Sequence, residues 1–168
     1  GNMDYRFSLN YLNQKGIIQG TTAERISLGA NYNQRLLADR LKLRINLRGY
    51  RGNDKFTPGG VVSNAAQMGP TQPVFDTTTA TGFYDWPGNQ LTSADNPVAI
   101  LKLSSDEAST YRAIGGLQTE YSLPFLEGLS ANLNFGFDAT KAERTFFAPS
   151  TLHAQSKTGT DGTYSRNT

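Results

Sequence analysis

The stretch Tyr5-Arg6-Phe7-Ser8-Leu9-Asn10-Tyr11 places a large apolar side chain at every odd position and a polar one at every even position. A period of two belongs to a β-strand with two chemically different faces, and it limits the fold more than any other feature of the chain. Four further stretches repeat it. Between Glu24 and Gln34, Ile26, Leu28, Ala30 and Tyr32 stand opposite Arg25, Ser27, Gly29, Asn31 and Asn33. Within 41–51, Leu41, Leu43, Ile45 and Leu47 alternate with Lys42, Arg44, Asn46 and Arg48. A helix here would mix charge with leucine on every face. Thr110 to Leu123 is less regular, interrupted by Ile114 and Gly115-Gly116, while Leu129, Ala131, Leu133, Phe135 and Phe137 oppose Ser130, Asn132, Asn134 and Asp138. The expected fold is all-β, with about five antiparallel strands near 4–12, 24–34, 41–51, 110–123 and 129–139.

The joints between these stretches differ in length. Those after the second and fourth strands, 35–40 and 124–128, are tight, and the others are longer. The segment 52–109 holds Pro58, Pro70, Pro73, Pro87 and Pro97, five of the seven prolines. Ordinary joints run about 4–6 residues, so a segment this long is functional, disordered, or a sign of misassigned elements. Antiparallel strands deliver alternate joints to opposite ends, which puts the tight joints at one end and the long ones at the other. Bacterial outer-membrane barrels have this asymmetry, and about 9–11 tilted residues span the hydrocarbon. On that reading Tyr5, Phe7, Leu9, Leu28, Leu43, Ile45, Leu133 and Phe135 face lipid. Arg6, Arg25, Lys42, Arg44, Arg48, Arg112, Glu120 and Asp138 face a wet lumen or a plug. Tyr32 and Tyr121 fall towards one interface, and Tyr11 and Phe137 towards the other, as aromatic girdles do. A closed barrel needs at least about eight strands, so the chain is expected to be an internal piece of a longer one, with both ends cut. The alternative is a soluble β-sandwich that buries the apolar face against a second sheet and binds carbohydrate through its long loop.

Composition narrows the function classes. With 16 basic and 14 acidic residues the charge is nearly balanced and gives no reason to expect nucleic acid. The absence of cysteine excludes disulfides, zinc–thiolate sites and thiol nucleophiles. No stretch approaches the roughly 18 apolar residues of a transmembrane helix. The single histidine, His153, lies in the irregular, polar tail beyond Lys141 and is expected to be a solvated loop residue. Asp106-Glu107 is expected to be loop surface. No serine sits in a G-x-S-x-G turn, Asp161-Gly162 lacks the closing glutamate of a calcium loop, and Gly59-Gly60 precedes no Lys-Ser or Lys-Thr. Neither a catalytic site, a metal site nor a cofactor is expected, and the chain is not expected to be an enzyme.

In the long loop, Phe75, Phe83, Tyr84, Asp85 and Trp86 gather aromatic rings and a carboxylate. Such groups either stack on sugar rings or anchor the loop by packing it. On the lumen side, Arg44, Arg48 and Arg112 either contact a plug or an anionic substrate, or are solvated or paired with Glu120 and Asp138.

Read as words, several runs resemble the SusC/RagA-type TonB-linked outer-membrane transporters of Bacteroidota: Tyr5 to Ile18, Asn64 to Asp76 (Asn64-Ala65-Ala66-Gln67-Met68-Gly69-Pro70-Thr71-Gln72-Pro73-Val74-Phe75-Asp76), Asn96-Pro97-Val98-Ala99, and Tyr121 to Leu129. The resemblance extends in order over nearly the whole chain. It implies a plugged barrel of about 22 strands that imports oligosaccharides or peptides with energy from TonB. It also implies a SusD-like surface lipoprotein as the external lid. Outer-membrane lipid, TonB (through parts outside this segment) and the lid are the partners it implies. Under it, 52–109 is one external loop and 140–168 begins another, and Phe83, Tyr84, Asp85 and Trp86 are candidate ligand or lid contacts.

Overall fold

A computed structural model of the chain describes residues 2–87, 92–126, 128–156, 159 and 161–168. Glu127 of the 121–129 run and parts of the two expected external loops (88–91, 157, 158 and 160) lie outside the described residues. Among the described residues six antiparallel strands form one sheet in chain order: β1 (Met3–Lys15), β2 (Thr22–Leu36), β3 (Leu41–Lys55), β4 (Ser105–Ser122), β5 (Ser130–Ala148) and β6 (Thr163–Asn167). The sheet does not close on itself, and β1 and β6 are its edges. The described residues also form three short helices: α1 (Val61–Gln67), α2 (Pro97–Leu103) and α3 (His153–Ser156). None of the described helices is long and apolar enough to cross a membrane.

The strands outrun the alternation that announces them. β1 continues through Asn13, Gln14 and Lys15, β4 begins at Ser105, and β5 carries on to Ala148 rather than turning irregular after Lys141. Backbone hydrogen bonds between strands do not require an apolar face, so pairing persists where both faces become polar. This corrects the joint lengths. The joint between β1 and β2 is only 16–21, closed by the Gly16 amide donating to the Thr21 carbonyl at 2.9 Å and by Gly20 at φ 86°. It is no longer than 123–129 between β4 and β5, so the length contrast rests on 56–104 and 149–162 alone. Between β2 and β3, Leu37, Ala38 and Asp39 all take left-handed φ values of 54–67°, an unusual run without glycine. The sixth strand pairs Phe147 with Tyr164 and Arg144 with Asn167. At five residues with a single aromatic, it leaves too little pattern to read.

The chain divides into two compact units. The first comprises Gly1–Asn13, Glu24–Gly52 and Thr110–Ala142. Among its described residues none belongs to the buried hydrophobic cluster. Phe7, Leu9, Leu28, Leu47, Leu133 and Phe135 all stand exposed on its apolar face, Phe7 at 76% and Phe135 at 62%. Its opposite face is polar and partly self-paired. Lys42 meets Glu120 at 3.0 Å, and Arg112 grips Asp138 through two hydrogen bonds, one of them 2.9 Å. The Arg25 guanidinium lies 5.1 Å from the centre of the Tyr50 ring.

The second unit comprises Gln14–Ala23, Asn53–Ser109 and Glu143–Thr168 and has a conventional core. Val61 of α1, Ala99 and Ile100 of α2, Ala148 at the end of β5, and Leu152 are buried together, with Ile18, Phe83 and Phe146 against them. The helices of the long segment 56–104 are therefore held by a core they share with the end of β5 and Leu152.

The glycine pair that blurs the fourth strand in sequence has a reason in space. A Cβ on Gly115 would come 2.1 Å from Phe137 Cε1 and 2.9 Å from Leu47 Cδ2. The Phe137 ring lies across the glycine, a cross-strand aromatic cover. Gly115→Ala is expected to displace that ring and cost about 1–3 kcal/mol of stability, the usual range for overpacking. The loss should shrink when Phe137→Ala is added, measured as a double-mutant cycle in urea.

Candidate functional site

The candidate residues Phe83, Tyr84, Asp85 and Trp86 follow a tight reversal of the chain. Asp76 Oδ1 accepts hydrogen bonds from the Thr78 hydroxyl at 2.6 Å and the Thr78 amide at 2.9 Å. This is the local turn that aspartate favours, and the two bonds, the hydroxyl foremost, hold the Asp76 carboxyl below its ordinary range. Thr79 Oγ1 then donates to the Phe83 carbonyl at 2.7 Å, and Gly82 takes φ 76°. The two arms meet as an antiparallel bridge between Phe75 and Phe83, whose rings are 5.5 Å apart.

One side chain ties this reversal to the helix that follows. Asn96 is buried, and its Nδ2 donates to the carbonyls of Val74 (2.7 Å) and Tyr84 (3.2 Å). Its Oδ1 accepts from the amides of Val98 (3.0 Å) and Ala99 (3.3 Å), capping α2. All of its hydrogen-bonding capacity is directed inward. The neighbouring Asp95 amide donates to Asn64 Oδ1 at 2.8 Å, and the Asp95 carboxylate lies 2.8 Å from His153 Nδ1.

The four candidates are all half-buried, and the structure brings them together unequally. Phe83 packs against the buried cluster. Tyr84 and Trp86 form an edge-to-face pair with ring centres 5.8 Å apart, and the Trp86 indole N–H donates to the Ala94 carbonyl at 2.9 Å. The indole's one donor is therefore internal, and only ring surface of Trp86 is left for a ligand or partner. Burial raises the Asp85 carboxyl above its ordinary range; His153 pulls it down, while Asp95 and Asp76 push it further up. Asp85 is thus a carboxylate held at some electrostatic cost beside the aromatic pair.

Two sequence expectations are overturned here. His153 is not a solvated loop residue: it is 6% exposed, starts α3, bonds Asp95 through Nδ1, and has a buried Nε2 with no hydrogen-bond partner among the described residues. The single-residue view missed this because Asp95 is 58 positions away. Asp106 is not loop surface either. It is 7% exposed near the start of β4 and takes two hydrogen bonds from Arg144, at 2.7 and 2.6 Å, while its exposed neighbour Glu107 meets Lys55 at 2.9 Å. Asn96 escaped notice as the organiser of the loop, although Asn followed by Pro is the signature of a helix start. Among the described residues no cluster of three or more His, Cys, Asp or Glu side chains converges as a metal site requires.

Asn96→Ala is expected to cost about 1–3 kcal/mol, because it strips a helix cap and removes the amide that donates to the Tyr84 carbonyl and, alongside the Tyr84 N–H, to the Val74 carbonyl. The check is limited proteolysis, which should cut within 56–104 while the first unit stays intact.

No family model matches the chain. Against characterised proteins, the chain is 26% identical to TonB-dependent receptor SusC of Bacteroides thetaiotaomicron over 86% of its own length. It is 30% identical over 99% of its length to TonB-dependent receptor P3 of Formosa agariphila, and 29% identical over 85% to receptor P26 of the same organism. The chain spans only 16%, 17% and 14% of those relatives. Along most of its own length, then, this all-β chain with its uncovered apolar face is a relative of the SusC-type TonB-dependent receptors and matches one segment of them.

Proposed function

We propose that this chain is part of the wall of an outer-membrane TonB-dependent transporter, with one long external loop within 52–109, between β3 and β4. The transporter imports oligosaccharides or peptides beneath a SusD-like lid lipoprotein, and the segment itself is not catalytic. The observation that carries this reading is the apolar face of the first unit. Its aromatic and aliphatic side chains project from the sheet with no protein over them, and lipid is the solvent that suits such a surface. In the alternative, a soluble sandwich, a second sheet would cover the face, whereas the described strands all belong to one sheet. The similarity to TonB-dependent receptors supports the same reading.

The two faces of β1 provide the test. In the receptor that carries this segment, Phe7→Arg is expected to destabilise the membrane-inserted barrel by about 2–4 kcal/mol, and Ser8→Arg by much less, because only the first would point into lipid. Urea unfolding in lipid vesicles measures both. Equal effects, or a monodisperse chain in plain buffer without detergent, would support the sandwich instead.

For the loop, Phe83 acts as anchor, and Tyr84, Asp85 and Trp86 offer the surface for ligand or lid. Trp86→Ala is expected to weaken binding of an oligosaccharide ligand to the receptor several-fold, in the range of lost aromatic contacts. Unchanged ligand affinity with weaker lid association would assign the residue to the lid. If neither changes, Trp86 only packs.

A further inference from the structure

The polar face of the first unit carries more positive charge than its own carboxylates neutralise. Glu120 takes up Lys42 and Asp138 takes up Arg112, while Arg25 rests on Tyr50. Arg6 of β1 and Arg44 and Arg48 of β3 remain, and of these Arg6 and Arg48 share one cavity. Both are exposed, and among the described residues neither has a carboxylate within ion-pair reach. Asp4, on the same face, borders a separate hollow with Arg35, Lys42 and Arg44.

Arg6 and Arg48 border one cavity of about 520 Å³, the size of a small-ligand site. Among the described residues no Asp or Glu lines it. Two strand spacings separate β1 from β3, about 10 Å, and β2 runs between them. There Gly29 keeps the floor low, since a Cβ at that position would come 2.6 Å from Ser8 Oγ. Ser27 and Asn31 add short hydroxyl and amide groups to the same wall. Unpaired guanidiniums on two sides of a floor of small polar groups make a receptor for anions, because the planar fork of arginine matches a carboxylate or sulfate in two-point contact.

The geometry points to a binding site for an acidic oligosaccharide, with Arg6 and Arg48 gripping its carboxylate or sulfate groups and Ser27 and Asn31 meeting its hydroxyls. This rests on the transporter reading above and deepens it by naming a charge class of cargo. It also makes the wall an electrostatic guide for anions, effective over roughly 8 Å at physiological salt.

The test uses the purified receptor that carries this segment and three probes of equal length: an oligogalacturonate, its fully methyl-esterified neutral form, and a sulfated oligosaccharide. Titration calorimetry at low salt is expected to show the two anionic probes binding about tenfold or more tightly than the ester, as charge-assisted pairs do, with the gap closing as salt rises. Arg6→Gln with Arg48→Gln should abolish the preference by weakening the two anionic probes at least tenfold more than the ester, and Arg6→Lys with Arg48→Lys should restore part of it. A preference for the uronate alone, or for the sulfate alone, would identify which anion the site takes. Equal binding of acid and ester by the unaltered receptor would overturn the proposal without requiring any variant. A variant that weakens acid and ester alike, or only lowers the receptor's melting temperature, would also overturn it, because the arginines would then contact protein instead. TonB-dependent uptake of the neutral ester without any charge preference would leave the transporter reading standing and remove only this one.

Discussion

The physical constraint on which the structure depends is a sheet face that none of the described residues covers. In the first unit the odd residues of β1 and their counterparts on β2, β3 and β5 gather phenylalanine, leucine and tyrosine on one side. In water such a face would drive association. In hydrocarbon it needs no partner, provided that the backbone groups are paired strand to strand. The opposite face accordingly takes the charge, arranged in cross-strand pairs such as Lys42 with Glu120 and Arg112 with Asp138.

The second unit obeys the ordinary rule of apolar burial. Its two principal helices are short, seven residues each, and would be marginal alone. They hold because Val61, Ala99 and Ile100 share a core with Ala148 and Leu152, and because Asn96 satisfies helix amides and loop carbonyls together. The Asp95–His153 hydrogen bond and the Asp106–Arg144 ion pair add polar contacts in which at least one partner is buried. Such contacts fix an arrangement more surely than they add net stability. A loop organised this way presents the Tyr84–Trp86 pair in a defined orientation.

The strands were legible from the residues because alternation is a local signal. Each of the five stretches carries its own pattern, and each appears in the sheet. Their ends were not legible, since Asn13 to Lys15 or Asp106 to Ser109 extend a strand by backbone pairing that leaves no apolar trace. The joint after β1 was misjudged for the same reason. Within the loop, aromatic composition marked out Phe83 to Trp86, but not which ring anchors and which is left at the surface. That depends on Phe75, Ala94 and Asn96, which approach only after the chain has turned back.

By itself the sequence determined the class of fold, the chemistry of the two faces of the sheet and the resemblance to a transporter family, all properties of residues close together in the chain. Tertiary structure alone decided that His153 and Asp106 are buried and paired, that Gly115 makes room for Phe137, and that Arg6 and Arg48 border one cavity without a carboxylate. These depend on residues 22 to 58 positions apart being brought within a few ångströms, or within one cavity across the sheet, and no local pattern encodes that distance.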